Sequence, residues 1–281
     1  MREVCAALRA ECEELDALVS ALNAGQWQRK TIFYNWSVYD EIAHNYFLDR
    51  LALMSIEQPG EFAVIAERVA RDEKDPDYSF RAYTNEVLGI LARDELLQRW
   101  RENYRHMIAV FEASDPRQRM KWFGPDMAVK SCATARQMET WAHGQDIYDL
   151  LRIRRTNTDR IINIVNLGVR TYGWSFLNRG FEPPVPPPYV ELSAPSGATW
   201  TFNDPDAPAS VRGTAEDFCW VVTQRRNVAD TQLEVRGDAA VRWMQIAQCF
   251  AGAPATGPAP GVRQVAWERT RPAQASPERS T

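Results

Sequence analysis

Apolar residues that recur every three or four positions constrain this chain most, because the pattern continues over segments long enough to form helices. The first segment, residues 3–22, carries the pattern at Val4, Leu8, Leu15, Leu18, Val19 and Leu22. Three more long helical segments are predicted over 38–56, 93–111 and 132–151. This spacing places apolar side chains on one face of each helix. Four such helices joined by loops predict a four-helix bundle.

Local signals mark the helix ends. We expect Ser37 to cap the second segment, which has two acidic residues in its first turn, where the helix dipole favours them. We expect Ser131 to cap the fourth segment. A fifth helix is predicted over 158–176, and 61–69 also has a helical pattern.

A proline-rich segment, FEPPVPPPY, separates the helical part from a region with short strand patterns. Beyond it, YVELSAPSGATWTF, ASVRGTA and TQLEVRG read as strands, and 216–224 and 238–250 read as helices. We therefore divide the chain into a helical unit, a helix with the proline-rich connector, a small α+β unit and a Pro/Ala/Gly/Ser-rich tail that we expect to be flexible. Their bounds are 1–155, 156–182, 183–251 and 252–281.

Composition narrows the class of protein. With 45% hydrophobic and 25% charged residues, the chain can bury a substantial core. The net charge of -4 gives no reason to expect nucleic acid as a partner. The chain has no secretory core at its start and no apolar run near the roughly 20 residues of a membrane span. The five cysteines form no CxxC pair, so we expect reduced thiols in a cytoplasmic protein.

A carboxylate and an imidazole lie four residues apart in Met138-Glu139-Thr140-Trp141-Ala142-His143. On a helix, Glu139 and His143 share one face. His44 lies on another predicted helix and can point into the same interior. Three protein ligands would leave an open coordination position, which is typical of catalytic rather than structural Zn²⁺ sites. The same donors also suit Fe²⁺, Ni²⁺ or Mn²⁺.

The simpler interpretation is that these residues bind no metal. An isolated ExxxH on a helix is usually a surface or capping pair, and a single histidine is usually a satisfied core residue. Apolar neighbours place Glu139, His143 and His44 on semi-buried faces, however. Buried carboxylates and imidazoles need partners, and a shared metal ion would satisfy all three.

Two stretches of the sequence resemble signatures of a known family. The first runs from Leu18 to His44 and contains Leu22, Trp27, Thr31, Trp36-Ser37-Val38 and Glu41-Ile42-Ala43-His44; the second is Ala135–Ile147. Both are similar to the maleylpyruvate isomerase-like branch, which is mycothiol-dependent, of the DinB-like metal-binding superfamily. A looser likeness over Val211–Asp238 extends the resemblance to about residues 5–252.

The resemblance implies a DinB-like up-down-down-up bundle followed by a small sterol-carrier-like α+β domain. It implies that His44, Glu139 and His143 bind a divalent metal, usually zinc. It also implies that the small domain closes over a low-molecular-weight thiol, such as mycothiol, or an acidic substrate; Arg225 and Arg226 are the predicted contacts. The sequence departs from the family pattern at Phe33–Asn35 and at Asn45, near the expected mouth of the bundle, which indicates a different substrate.

Other polar residues have weaker indications. Asp40 or Asp146 could orient a ligand imidazole, although surface charge explains each equally well. Arg136 could face a substrate carboxylate, but a solvent-facing arginine is the simpler interpretation. Arg236 is similarly ambiguous. Trp141 is either a pocket wall or core, and His106 is expected to be structural.

Together these features predict a divalent-metal-dependent enzyme acting on a small molecule, either a thiol-dependent isomerase or a thiol transferase. One alternative keeps the metal without the thiol, as a hydrolase, lyase or cyclase of specialised metabolism. Another is a metal- or ligand-binding protein without turnover. The sequence does not decide whether the protein forms a homodimer. Neither nucleic acid nor a membrane is expected as a partner.

Overall fold

Helices build most of the chain in the computed structural model, which describes residues 1–75, 77–124 and 126–265. They are α1 (Arg2–Ser20), α2 (Ala24–Trp27), α3 (Val38–Glu57), α4 (Pro59–Asp72), α5 (Phe80–Leu88), α6 (Arg93–Ala113), α7 (Val129–Leu151), α8 (Ile162–Arg170), α9 (Tyr172–Leu177), α10 (Ala215–Val222) and α11 (Asp238–Ile246). Single 3-10 turns occur at Asp159–Ile161 and Val228–Asp230. Each helix in the described ranges is too short or too polar to span a lipid bilayer.

The four long helices α1, α3, α6 and α7 lie where the apolar periodicity predicts them. Both α1 and α3 pack against α6 and α7. Their apolar faces meet in one cluster that includes Leu8, Ile42, Trp100 and Ile147. Because α3 and α7 lie side by side, polar residues on their facing surfaces can approach one another inside this helical layer.

The short helices α4 and α5 pack along α3 and extend it on one side. They enclose a smaller aromatic cluster that includes Phe47, Phe62 and Tyr83. The sequence pattern predicted α4 only in part and did not predict α5, because this region alternates charged and apolar residues without a long stripe. These helices form a wall of the cavity described below.

The start of α7 differs from the prediction. Ser131 lies inside the helix, which begins at Val129 with Ala128 as its N-cap and no side-chain cap. A short hairpin, β1 (Arg119–Met120) with β2 (Met127–Ala128), comes directly before it. The backbone N–H of Val129 donates to the carbonyl of Gln118 at 3.0 Å, so the hairpin supplies an acceptor that a cap would otherwise provide. Ser37, by contrast, caps α3 as predicted.

A four-stranded sheet forms the small unit after the proline-rich connector. Its strands are β3 (Tyr189–Ser193), β4 (Thr199–Phe202), β5 (Ser210–Thr214) and β6 (Glu234–Arg236). Their order is β4-β3-β5-β6, with β3 and β5 parallel and the outer pairs antiparallel. Val190 pairs with Val211, and both side chains are buried beneath α10 and α11 together with Phe218 and Trp243.

The predicted fifth helix is divided by a break at Thr171, whose hydroxyl donates to the carbonyls of Leu167 and Gly168. The first part, α8, packs against α10 of the small unit. At Gly168, a Cβ would lie 2.8 Å from Phe218 and 2.9 Å from Val222. A side chain there would prevent this close approach, so Gly168 sets how tightly the two units pack.

The region beyond residue 252 differs from the expected flexible tail. Gln224 donates to the carbonyl of Ala255 at 3.0 Å, and Asn227 donates to that of Pro258 at 2.9 Å. These contacts hold residues 252–265 against the small unit. The rest of the predicted tail, 266–281, lies outside the described residues.

Candidate metal centre

Three polar side chains from α3 and α7 converge between the two helices. His44 projects from the second turn of α3, whereas Glu139 and His143 lie one turn apart on α7. Glu139 Oε2 lies 3.9 Å from His44 Nε2 and 3.4 Å from His143 Nε2. One donor atom of each residue lies within 4.8 Å of the other two. The structure therefore brings together the trio indicated by the sequence.

The charge states of this trio suit a cation. Burial lowers the pKa of His44, and burial together with the neighbouring His44 lowers the pKa of His143 well below its usual value. Burial alone would raise the pKa of Glu139, but the adjacent imidazoles of His143 and His44 outweigh it and leave that pKa well below the usual range. Two neutral imidazoles and an ionised carboxylate are the forms that ligate metal ions.

Glu41 orients His143 from the opposite helix. Its Oε2 lies 2.6 Å from His143 Nδ1, and its Oε1 accepts a hydrogen bond from the Thr31 hydroxyl at 2.8 Å. Burial raises the pKa of Glu41 well above its usual value. A cation on Nε2 would require the proton of the neutral ring on Nδ1, where an ionised Glu41 would accept it.

The sequence had suggested Asp40 or Asp146 for this orienting role. Asp40 instead completes the N-cap of α3 by accepting from the Ser37 N–H at 2.8 Å. Asp146 is 2.8 Å from Arg225 Nε. The sequence assigned Glu41 only a favourable place in the first turn of α3, although its position three residues before His44 was a usable signal.

A second group of possible ligands, formed by Glu41, His143 and Asp146, is fully buried. Two of its members already have other partners, since Glu41 binds Thr31 and Asp146 pairs with Arg225. The first trio is therefore the better candidate. Among the described residues, no fourth His, Cys, Asp or Glu joins it within that range.

Aromatic rings surround the two imidazoles. Trp36 stacks on His143 with ring centroids 5.7 Å apart, and it meets His44 edge-on at 5.1 Å. Phe80 of α5 contacts His44 at 5.6 Å from the other side. The buried Nδ1 of His44 has no hydrogen-bond partner among the described residues. This apolar shell keeps water away from the sides of the cluster and strengthens its electrostatic interactions.

The trio opens onto a cavity of about 500 Å³, within the size range of small-molecule sites. Its lining is largely apolar and comes mainly from the loop before α3, from α3, α4, α5, α7, α8 and α9, from the β1–β2 turn, and from the segments after α10 and α11. It includes Trp36, Phe80, Trp122, Trp174 and Phe250. The family departures at Phe33 and Tyr34 also line it. Asn45 does not, because it is buried and donates to the Glu41 carbonyl at 3.0 Å.

Residues with strained backbone conformations also occur around this cavity. Tyr34, Asn35 and Gln224 all adopt left-handed conformations, with φ of 48°, 57° and 57°. Non-glycine residues hold such conformations at a cost, and they cluster at functional sites. Two of the three, Tyr34 and Gln224, line the cavity.

The predicted arginines occupy different places. Arg225 lines the cavity, donates to the Ala142 carbonyl at 3.0 Å and lies 4.4 Å from the centroid of the Phe33 ring. Arg226 lies outside this cavity, donates to the Arg225 carbonyl and pairs with Asp149 at 2.6 Å. The two ion pairs that Arg225 and Arg226 make therefore anchor the small unit to α7.

The structure also places the remaining candidate residues. Arg136 is not solvent-facing: it is buried, lines the cavity and pairs with Asp49 at 2.7 Å. Arg236 is exposed beside Glu234. Trp141 is core rather than pocket wall, since it is fully buried. His106 lies 3.1 Å from Glu57 on the surface.

Comparisons with known proteins identify a matching family model and similar proteins. The family model described as the mycothiol maleylpyruvate isomerase N-terminal domain matches residues 8–148. Uncharacterized proteins from two strains of Mycobacterium tuberculosis, CDC 1551 / Oshkosh and ATCC 25618 / H37Rv, are each 39% identical over 250 residues, covering 89% of this chain and 96% of theirs.

Solved structures give a fold match. The crystal structure of the mycothiol-dependent maleylpyruvate isomerase aligns with a TM-score of 0.50 at 12% identity, covering 78% of this chain and 87% of that one. A histidine-to-alanine mutant of that enzyme aligns equally well at 13% identity. The chain therefore belongs to the mycothiol maleylpyruvate isomerase N-terminal domain family, which confirms the resemblance drawn from the two signatures.

Proposed function

We propose that this protein is a divalent-metal-dependent enzyme that acts on a small organic substrate with a low-molecular-weight thiol, as an isomerase or a thiol transferase. The observation that carries the proposal is the His44–Glu139–His143 trio, whose donor atoms lie within 4.8 Å of one another and open onto a cavity of about 500 Å³. The solved structure of a mycothiol-dependent isomerase with the same fold supports the thiol.

The residues present fit a catalytic metal. Two imidazole nitrogens and one carboxylate oxygen suit Zn²⁺, and also Fe²⁺, Ni²⁺ or Mn²⁺. Glu41 fixes the ring of His143, and Trp36 and Phe80 exclude water around both imidazoles. A bound cation would supply Lewis acidity and lower the pKa of a coordinated thiol or water.

The chain's own cysteines argue for an external thiol. All five are buried, and burial raises the pKa of Cys5 to about 11 and that of Cys132 to about 12. Cys249 lines the cavity, but burial and the nearby Glu139 raise its pKa as well. A reactive thiolate would therefore come from a bound small thiol.

Arg225 is the better placed of the two arginines proposed to contact that thiol, because it lines the cavity. Arg226 supports it from behind through its hydrogen bond to the Arg225 carbonyl. Arginine's fork suits the carboxylates of a thiol such as glutathione or bacillithiol.

We extend the proposal to the finer architecture. The mutual packing of α1, α3, α6 and α7 supports a DinB-like four-helix bundle of up-down-down-up type. The mixed sheet covered by α10 and α11 supports a sterol-carrier-like domain.

A second candidate keeps the metal but not the thiol. A hydrolase, lyase or cyclase would use the same trio, and the bulky Phe33 and Tyr34 at the cavity favour a substrate different from that of the solved relative. A protein without turnover is less favoured, because no fourth ligand closes the trio among the described residues.

A cobalt-substituted protein distinguishes these functions. Mycothiol, glutathione or bacillithiol would be added to the Co²⁺-loaded full chain, with His143→Ala as the matched variant. We expect one thiol to produce a thiolate-to-cobalt charge-transfer band in the wild type and none in the variant. If Co²⁺ binds and all three thiols leave the spectrum unchanged, the thiol scheme is wrong and the thiol-independent enzyme becomes the better proposal.

A further inference from the structure

Three arginines of the described residues line the cavity, and one of them, Arg263, has no acidic partner within the same part of the chain. Arg136 is neutralised by Asp49 at 2.7 Å, and Arg225 is neutralised by Asp146 at 2.8 Å. Within residues 1–75, 77–124 and 126–265, no carboxylate lies within the 4.0 Å ion-pair distance of Arg263. Among the described residues, Arg263 is therefore the one cavity arginine whose charge is not neutralised by an ion pair.

Arg263 is held firmly despite this missing partner. Arg263 is only 7% exposed, and its Nη1 donates to the carbonyl of Gln224 at 2.8 Å. Its guanidinium lies 5.1 Å from the ring centroid of Phe33 and 5.5 Å from that of Tyr34. One nitrogen is thus occupied, and the remaining N–H groups of the fork are left for another acceptor.

The backbone around Arg263 is anchored as well. Gly261 donates its N–H to the carboxylate of Asp230 at 2.9 Å, and Asn227 binds the carbonyl of Pro258. These contacts hold the segment 252–265 against the cavity, although its composition is that of a flexible tail. The side chain is therefore presented in a fixed position.

The burial of the Arg263 charge favours the binding of an anion. A buried charge is costly unless it is paired and hydrogen-bonded. Burial lowers the pKa of Arg263, whereas Asp146 raises it only from a greater distance, since Asp146 pairs with Arg225. Arginine stays charged in proteins, so the cost is relieved by an incoming anion.

We propose that Arg263 binds a carboxylate of the substrate. This inference rests on the proposed function of the cavity. Arg263 is then a specificity residue contributed by the C-terminal segment, in addition to the metal trio on α3 and α7. Phe33 and Tyr34 flank the guanidinium and would set the shape of the acid that fits beside it.

Calorimetric titration of the Zn²⁺-loaded full chain tests this assignment. The probes are maleate, a small unsaturated dicarboxylate, and its uncharged dimethyl ester. The variants are Arg263→Met, which keeps an apolar stem beside Phe33 and Tyr34, and Arg263→Lys, which keeps the charge. Arg117→Met, at a side chain that is 94% exposed, is the matched control.

We expect the wild type and Arg117→Met to prefer maleate to the ester. Arg263→Met should weaken maleate binding about tenfold or more, as loss of a charge-assisted hydrogen bond implies, while ester binding changes little. The affinity of Arg263→Lys for maleate should lie between those of the wild type and Arg263→Met. A purely structural role would weaken both probes equally, and that result would overturn the proposal.

Two further outcomes separate this inference from the proposed function. Unchanged maleate binding in Arg263→Met, or no maleate binding by the wild type, contradicts the role of Arg263 even if a thiol coordinates cobalt. Maleate binding that depends on Arg263 in a protein with no thiol response supports this inference and contradicts the thiol scheme alone.

Discussion

His143 Nδ1 lies 2.6 Å from Glu41 Oε2, so a hydrogen bond joins α7 to α3 directly behind the candidate metal centre. Thr31, on the loop before α3, donates to the other oxygen of Glu41 at 2.8 Å. This chain of contacts fixes the ring that presents Nε2 to Glu139. The candidate centre therefore depends on residues that bind no metal themselves.

Replacing Glu41 with Gln should reduce metal affinity about 10- to 100-fold, as is usual for a partner of a ligating histidine. Gln keeps the size of the side chain but lowers the basicity of His143. Competition with a chromophoric zinc chelator measures the affinity. Glu67→Gln, at an exposed position of α4, is the control and should match the wild type. Equal affinities in all three proteins would show that Glu41 has no part in the site.

Acid should weaken an ion-pair cluster between α1 and the segment that joins α7 to α8. Burial raises the pKa of Glu14, but Arg155 and Arg160 outweigh it and lower that pKa below 4.5. The folded protein then binds fewer protons than the unfolded chain, so this stabilisation is present above pH 4.5 and is lost as pH falls through the lower folded pKa. At neutral pH the wild type should have a larger free energy of unfolding than Glu14→Gln. This difference should disappear as the pH falls from 4.5 through the folded pKa of Glu14.

Urea unfolding at a series of pH values between 7 and 3.5 measures this difference. At pH 7 we expect an advantage of about 1–3 kcal/mol, the usual range for hydrogen bonds to charged groups. Glu13→Gln, at the neighbouring exposed position, should show no such pH-dependent change. An advantage for wild-type Glu14 that stays constant down to pH 3.5 contradicts the account.

The buried pair Arg225–Asp146 should be strongly coupled, because both side chains are almost fully buried at a separation of 2.8 Å. Arg225→Met or Asp146→Asn alone should cost about 3–5 kcal/mol of unfolding free energy by leaving a buried charge unpaired. The double variant should cost less than the sum of the two, as chemical denaturation would show. Additive effects would mean that the pair does not anchor the small unit to α7.

The exposed pair Arg236–Glu234 offers a contrast in the same unit. Its two side chains are 75% and 65% exposed at a separation of 3.1 Å. Solvent screening limits such a pair to about 0–1 kcal/mol, so the same double-mutant cycle should find little coupling. A coupling as large as that of Arg225–Asp146 would indicate that burial does not set these energies here.

Two helical glycines provide a matched test of packing. Gly168→Ala places a methyl group 2.8 Å from Phe218 and should destabilise the protein by about 1–3 kcal/mol through overpacking. Gly173→Ala meets no atom within 4 Å and should be neutral or stabilising. Thermal unfolding compares them. If Gly168→Ala is as stable as Gly173→Ala, α8 and α10 are not as close as the structure has them.

Local pattern predicted much of this fold. The apolar stripes located the long helices, and the four-residue spacing placed Glu139 and His143 on one face of α7. The true start of α7 could not be found in this way, because its first N–H groups use carbonyls of a hairpin whose pairing is not encoded in a local motif. Phe80 of α5 also escaped prediction, although it packs directly against His44.

Long-range contacts explain what the sequence missed at the site. Glu41 and His143 are 102 residues apart, so only the packing of α3 on α7 reveals their bond. Arg263 lies in a segment rich in Pro, Ala and Gly, whose order depends on backbone carbonyls that composition does not distinguish. The family signatures, by contrast, were enough to join His44 to the α7 pair from the amino-acid sequence alone.

Metal content of the purified, zinc-reconstituted chain tests the central claim most directly. Inductively coupled plasma mass spectrometry should find about one zinc ion per wild-type chain, as expected for a single site with three protein ligands. His44→Ala, Glu139→Ala and His143→Ala should each lose most of it, whereas His106→Ala, which replaces the surface histidine, should retain it. If the three site variants hold as much zinc as the wild type, His44, Glu139 and His143 do not form the metal centre.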